Sequence, residues 1–289
     1  VSKNGLWLLM KSCYSHKVLD KYFPKTFILQ EWNDRTNFNA FVFNSINNQV
    51  SIFKNDKIND KMNDKINNIY ILKKNINCKL GIKLFKINNK NDLSELYSTY
   101  FQEDYKLVQQ FIPNPFLINN RILIIRLYIF IYKQYLLQSK QLTFYRFNWI
   151  KCLYTDKDLD TNDFSSLISN SHKINYGLPL YYNKNEELQL FKKLDNSLKM
   201  LAIASKETFL DNDILKGHNQ FQLFGLDYIL DHNKNPYLLE INKGPNLQNY
   251  YSNYEKKMKK MLVYQMHNLI KNKTDINNTN YDIIYQCKY

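Results

Sequence analysis

The chain has 289 residues, 44% hydrophobic and 15% aromatic, enough apolar mass for one large domain or two of ordinary size. A formal charge of +14 attracts polyanions, so acidic protein tails, nucleic acid and anionic membrane are the candidate partners. Four cysteines without CxxC spacing argue against a disulfide framework or structural zinc, and Ile122 to Leu137, the most apolar run, carries Arg126 and Lys133 and is too short to span a bilayer.

Residues 1 to 53 mix short apolar runs with turn formers and include Phe23-Pro24-Lys25-Thr26-Phe27-Ile28-Leu29. The opening VSKNGLW has no methionine and no signal-peptide pattern, which suggests a start inside a longer protein. Residues 54 to 68 repeat an Asn-Asp-Lys unit with little apolar content, as a linker or surface loop would. Ile69 to Leu72 and Leu80 to Phe85 then read as a hairpin, Asp92 to Phe101 as a helix with Asp92 as N-cap, and Lys106 to Ile112 as a strand. A long strand, Leu123 to Tyr132, is answered by Gln134 to Ser139 and Gln141 to Tyr145, and Asn185 to Leu201 and Asn253 to Lys271 carry amphipathic helical spacing. The pattern is α+β with antiparallel sheet, not a regular βαβ alternation.

The chemistry concentrates between Phe221 and Leu247. Two apolar runs, Leu223 to Leu230 and Tyr237 to Ile241, flank a cluster of turn formers at 231 to 236, and they carry Asp227, Glu240 and, just beyond, Asn242. Alternation puts Glu240 and Asn242 on one face, within reach of Asp227 on the partner strand. Three oxygen donors suit Mg²⁺ better than zinc, while solvated or lysine-paired acids are the plainer alternative. No G-x-x-x-x-G-K-[ST] or G-x-G-x-x-G occurs, so any nucleotide is bound without a P-loop or Rossmann cradle. Arg126, inside an apolar strand, needs an anionic partner, a carboxylate or a phosphate. The five histidines share no spacing with acids or cysteines. In the last helix Lys256, Lys257, Lys259 and Lys260 flank Met258, Met261 and Leu262; this reads as a packed helix with a solvated lysine face, and basic amphipathic helices also bind acidic tails.

Gly225-Leu226-Asp227, followed thirteen residues on by Glu240-Ile241-Asn242-Lys243-Gly244-Pro245, resembles the C-terminal signature of the tubulin tyrosine ligase-like enzymes, a branch of the ATP-grasp ligases. Upstream segments resemble the same family in the same order: Pro24-Lys25-Thr26-Phe27, Ile71-Leu72-Lys73-Lys74 with Gly81-Ile82, and Leu107-Val108-Gln109-Gln110-Phe111-Ile112 running on to Arg126-Leu127-Tyr128. The resemblance implies an ATP-grasp fold, two α+β subdomains clasping ATP behind a short N-terminal segment. It divides the chain into an N-terminal part (1–53), a linker or loop (54–68), a central subdomain (69–112) and a C-terminal subdomain (113–289).

By that resemblance Asp227, Glu240 and Asn242 hold Mg²⁺, with Lys243 beside them. Lys73, or its neighbour Lys74, contacts phosphate under a loop containing Gly81, while Gln109, Gln110, Phe111 and Ile112 contact adenine and Arg126 the transferring phosphoryl group. Ile168-Ser169-Asn170 is similar to a family segment that makes Asn170 a further candidate. Where the family carries lysine and aspartate this chain has Ile122 and Ile124, with Arg121 as a candidate substitute for the lysine. The implied activity is an ATP- and Mg²⁺-dependent carboxylate–amine ligase that adds a free amino acid, glutamate favoured with tyrosine and glycine as alternatives, to an acidic protein such as a tubulin tail through an acyl-phosphate intermediate. It carries an expectation of cytoplasmic, cytoskeleton-associated localisation without membrane insertion. A catalytically degenerate ATP-grasp scaffold is the first alternative, motivated by Ile122 and Ile124. A basic nucleic-acid-binding protein is the second, and it rests on charge alone because no zinc finger, RRM signature or helix-turn-helix is present.

Overall fold

The computed structural model describes residues 2–52, 68–75, 81–137, 139–155, 157–160, 163–167, 184–211, 217–247 and 252–288. The expected linker, save Asn68, and Asn170 lie outside the described residues. The chain divides into two compact units, Val1–Pro115 with Asp160–Ser165, and Phe116–Leu159 with Ser166–Tyr289. No described helix is long and apolar enough to cross a membrane.

The first unit contains α1 (Lys3–Cys13), α2 (His16–Leu19), β1 (Thr26–Phe27), α3 (Trp32–Ile52), β2 (Ile69–Lys73), β3 (Ile82–Lys86), α4 (Lys90–Gln102) and β4 (Leu107–Gln110). Its four strands form a sheet in the order β1-β4-β2-β3, antiparallel at every pair. Alternation gives the sheet two distinct faces. Phe27, Tyr70, Leu72, Phe85 and Val108 share a core with Phe38 and Val42 of α3 and Leu93, Leu96 and Tyr100 of α4. In register, Thr26, Ile71, Lys73, Leu107 and Gln109 fall on the opposite face.

The helix expected to be capped by Asp92 is capped by Asn89, whose side chain accepts from the N–H groups of Asn91 and Asp92. Asp92 lies in the first turn and accepts from Asn88 N. The reason is phase: the turn that delivers Leu93, Leu96 and Tyr100 to the core must begin one turn before Leu93.

The second unit contains β5 (Leu117–Ile118), β6 (Arg121–Tyr135), β7 (Lys140–Phe147), β8 (Lys151–Tyr154), α5 (Lys184–Asp211), β9 (Gln220–Leu230), β10 (Pro236–Lys243), α6 (Asn253–Ile270) and β11 (Tyr281–Lys288). The strand order is β10-β9-β6-β7-β11, with β5 and β8 pairing the first part of β6. Asn119 and Asn120, both at positive φ, make the two-residue turn from β5 into β6. The strand expected at Gln134 to Ser139 does not form. Gln134 and Tyr135 instead extend β6 and pair with Gln141 and Lys140.

On one face of this sheet Tyr128, Phe130, Tyr132, Tyr145 and Phe147 pack with Met258, Leu262, Met266 and Leu269 of α6. On the other, α5 meets the sheet through Ser197 against Tyr228, the Arg146–Asp195 ion pair, and Lys133, whose ammonium caps the carbonyls of Phe209 and Leu210. The lysine face expected of α6 is exposed at Lys256, Lys257 and Lys260, but Lys259 is buried beside Glu255. The two strand runs 223–230 and 237–241 form the hairpin β9–β10. Asp231 organises its turn by accepting from Asn233 N, Asn235 N and the Asn235 amide. Lys193 of α5 clamps the turn by donating to Asn233 O and Asn235 Oδ1.

Candidate functional site

Register builds the site in the second unit. Across β6 and β9 Arg126 lies directly opposite Asp227, and across β9 and β10 Glu240 lies opposite the same residue. The second pairing depends on a β-bulge. At the turn end the strands pair Leu230 with Pro236 and Tyr228 with Leu238; between Leu238 and Glu240 the register shifts, so Leu239 and Glu240 together face Asp227. Continued without the bulge, the ladder would set Leu239 opposite Asp227 and turn Glu240 and Asn242 to the other face.

Arg126 Nε donates to Asp227 Oδ1 at 2.6 Å and its Nη2 to Oδ2 at 2.5 Å, a two-bond fork. The Asn242 amide nitrogen donates to Asp227 Oδ2 and to Glu240 Oε1, each at 3.2 Å. Asp227 is buried. Burial pushes its carboxyl above the ordinary carboxylate range; the Arg126 guanidinium opposes the shift and the charge of Glu240 adds to it. Burial works against the charge on Arg126 as well, but the bonds and charge of Asp227 outweigh it and hold the guanidinium firmly protonated.

Beside Asp227, Gly225 lies opposite Asn242 and Tyr128. A Cβ there would come within 3.2 Å of Pro245 Cβ and 3.6 Å of Arg126 Cδ. Gly244, at φ +64°, turns the chain after β10 in a conformation glycine adopts at little cost, and this allows Pro245 to approach.

The charged row continues away from the carboxylates. Lys151 on β8 is opposite Arg126 in register and donates to Glu255 Oε1 of α6 at 2.7 Å, and Lys259 reaches the same oxygen at 2.9 Å. Neither Lys151 nor Glu255 belongs to a motif, and the sequence alone singles out neither. The available signals were weak: a lysine opening a short apolar run, and an acid inside a lysine-rich helix start.

Other expected residues lie elsewhere. Arg121 is five residues from Arg126 on an uninterrupted stretch of β6, so the two take opposite faces; Arg121 Nε donates to Asp158 at 3.3 Å. It does not stand in for a cation beside Arg126. Ile122 and Ile124 do share the Arg126 face. Lys243 follows Asn242 on the opposite face and is exposed.

In the first unit Lys73 is buried and donates to Gln109 Oε1 at 2.5 Å, and Gln109 in turn donates to Thr26 Oγ1 at 2.9 Å. Lys74 instead lies over the Tyr105 ring at 4.8 Å, and its N–H donates to Gly81 O. The N–H of Gln110 goes to Lys25 O and that of Phe111 to Ile69 O, while Phe111 and Ile112 are buried. Among the described residues no group of three His, Cys, Asp or Glu side chains converges. The carboxylate cluster is therefore Asp227 and Glu240 with an amide as third donor. All three offer oxygen, and two neighbouring carboxylates with an amide suit a hard divalent cation.

The sequence profile of the Tubulin-tyrosine ligase family matches residues 31–279. This chain belongs to the Tubulin-tyrosine ligase family. No curated protein matches it. Membership agrees with the α+β architecture, which is consistent with an ATP-grasp-like fold, and supports an amino-acid ligase that uses ATP and acts on proteins.

Proposed function

We propose that this family member is an ATP- and Mg²⁺-dependent ligase joining a free amino acid, glutamate favoured, to a side-chain or terminal carboxylate of an acidic protein such as a tubulin tail. The observation that carries this reading is the row Arg126–Asp227–Glu240–Asn242 on one face of three neighbouring strands. In the proposed reaction an acceptor carboxylate oxygen attacks the γ-phosphorus, the bond to ADP breaks, and an acyl phosphate forms. The amine of the incoming amino acid then attacks the acyl carbon, loses a proton, and expels phosphate.

Asp227, Glu240 and Asn242 would hold the cation, the amide turned to present Oδ1. Bound there, Mg²⁺ would offset charge on the phosphate oxygens. Arg126, sharing Asp227 with the cation, would direct its remaining N–H groups to the transferring group. Positioning and electrostatic stabilisation supply most of the rate in such chemistry, which is why no nucleophilic side chain is needed.

A catalytically degenerate scaffold is the second reading, and the apolar Ile122 and Ile124 on the Arg126 face favour it. Calorimetry with ATP and Mg²⁺, then incubation with tubulin and labelled Glu, Gly or Tyr, separates the two. The ligase reading expects magnesium-dependent ATP binding and incorporation of one donor, with Arg126→Ala slowing turnover by about 10³ to 10⁵. Binding without incorporation of any donor leaves the scaffold. Absence of ATP binding defeats both.

A further inference from the structure

We propose that Lys151 is a second anion-binding residue of this site, facing the transferring phosphoryl group beside Arg126, and that Glu255 is the positioning residue that keeps it there. The inference rests on the ligase reading above and extends it to residues outside the family signature.

Lys151 and Arg126 are directly opposite on adjacent antiparallel strands, so both side chains leave the same face of the sheet at neighbouring positions. Like charges so placed repel, and an arrangement of this kind persists only with anions on both flanks. One flank is Asp227, bound to the guanidinium by two hydrogen bonds. The other is Glu255, which comes from a different element, the first turn of α6.

Glu255 is 1% exposed, and its Oε1 accepts from both Lys151 and Lys259 while its backbone N–H donates to the Ser252 cap. The helix start is thereby attached to β8 at the register position of Arg126. An ammonium has three donors, so Lys151 can hold Glu255 and still donate to an anion. Along the row the order becomes Lys259, Glu255, Lys151, Arg126, Asp227, Glu240, with two cations adjacent in the middle and two carboxylates adjacent at the end. A metal–polyphosphate requires such neighbours: an oxygen cluster for the cation and paired donors for the phosphoryl oxygens it bridges.

Calorimetric titration of the whole chain with Mg²⁺ and either ADP or β,γ-imido-ATP tests this, because only the second ligand carries the group Lys151 would face. Lys151→Met is expected to weaken β,γ-imido-ATP about tenfold and ADP less than about twofold, with Lys151→Arg recovering most of the loss. Glu255→Gln, of the same size, should weaken the triphosphate analogue about threefold and likewise spare ADP. If Lys151→Met does not melt cooperatively, Glu255→Gln carries the same comparison. Equal losses for both ligands, or no loss for either, would overturn the assignment while leaving the ligase reading in place. A wild-type chain that binds neither ligand overturns both.

Discussion

At the residue scale the Arg126–Asp227 pair decides most. Its side chains are 20% and 8% accessible, and each carries a charge that the apolar strands around it would not accept alone. Removing one partner strands the other. Asp227→Leu is therefore expected to lower the stability of the second unit by about 3 kcal/mol, while Arg126→Met combined with Asp227→Leu should come out near neutral. Equilibrium urea unfolding of the single and double variants checks this, and a double variant as unstable as the single one would show that the pair contributes net stability. The single change also removes a proposed metal ligand, so nucleotide binding should vanish in both. The residue types of this pair were readable from sequence, since an arginine inside an apolar strand demands an anion. Which anion was not readable: the family resemblance favoured phosphate, and in this structure the guanidinium is bound to Asp227.

At the scale of the element, the bulge in β10 matters more than the strand itself. It absorbs Leu239, so that Glu240 and Asn242 fall on the face of Asp227 despite the pairing set at the turn. A contrast between two deletions follows. Deleting Leu239 restores a regular ladder with Glu240 still opposite Asp227, whereas deleting Ile241 moves Asn242 to the far face. Magnesium-dependent nucleotide affinity should stay within about threefold in the first case and fall at least about tenfold in the second, roughly 1.4 kcal/mol, measured by calorimetry. Comparable affinities for the two would mean that Asn242 takes no part. Alternation showed that the three residues could meet, but the position of the bulge left no mark in the hydrophobic pattern. The cap of α4 was missed for a related reason: Asn89 and Asp92 are both good N-cap residues, and only the docking of Leu93, Leu96 and Tyr100 selects between them.

For the whole molecule, aromatic burial sets the response to alkali. Tyr70, Tyr100, Tyr128, Tyr228 and Tyr281 are each at most 2% exposed, and burial pushes every one of these hydroxyls above its ordinary value. A raised folded value means that the contribution to stability is complete below the unfolded value near pH 10 and is lost as pH rises beyond it. Each such tyrosine removes about 1.4 kcal/mol per pH unit in that range. Tyrosinate absorbance should therefore show an incomplete titration in the native state, with the remaining tyrosines ionising together as circular dichroism is lost. Titration of all 23 tyrosines near pH 10 with native dichroism intact would contradict the packing described.

The sequence by itself determined the α+β class, the order of the segments that resemble the family and which oxygen-bearing side chains alternation could bring together. The first and last follow from local periodicity and residue chemistry and the second from the family resemblance, each of which lies within a short stretch of chain. Tertiary structure decided the phase of β10, the partner of Arg126, the orientation of Arg121 away from Arg126, and the arrival of Glu255 beside Lys151. Each is a pairing between residues distant along the chain, set by strand register and helix docking, and no local pattern encodes where two such surfaces meet.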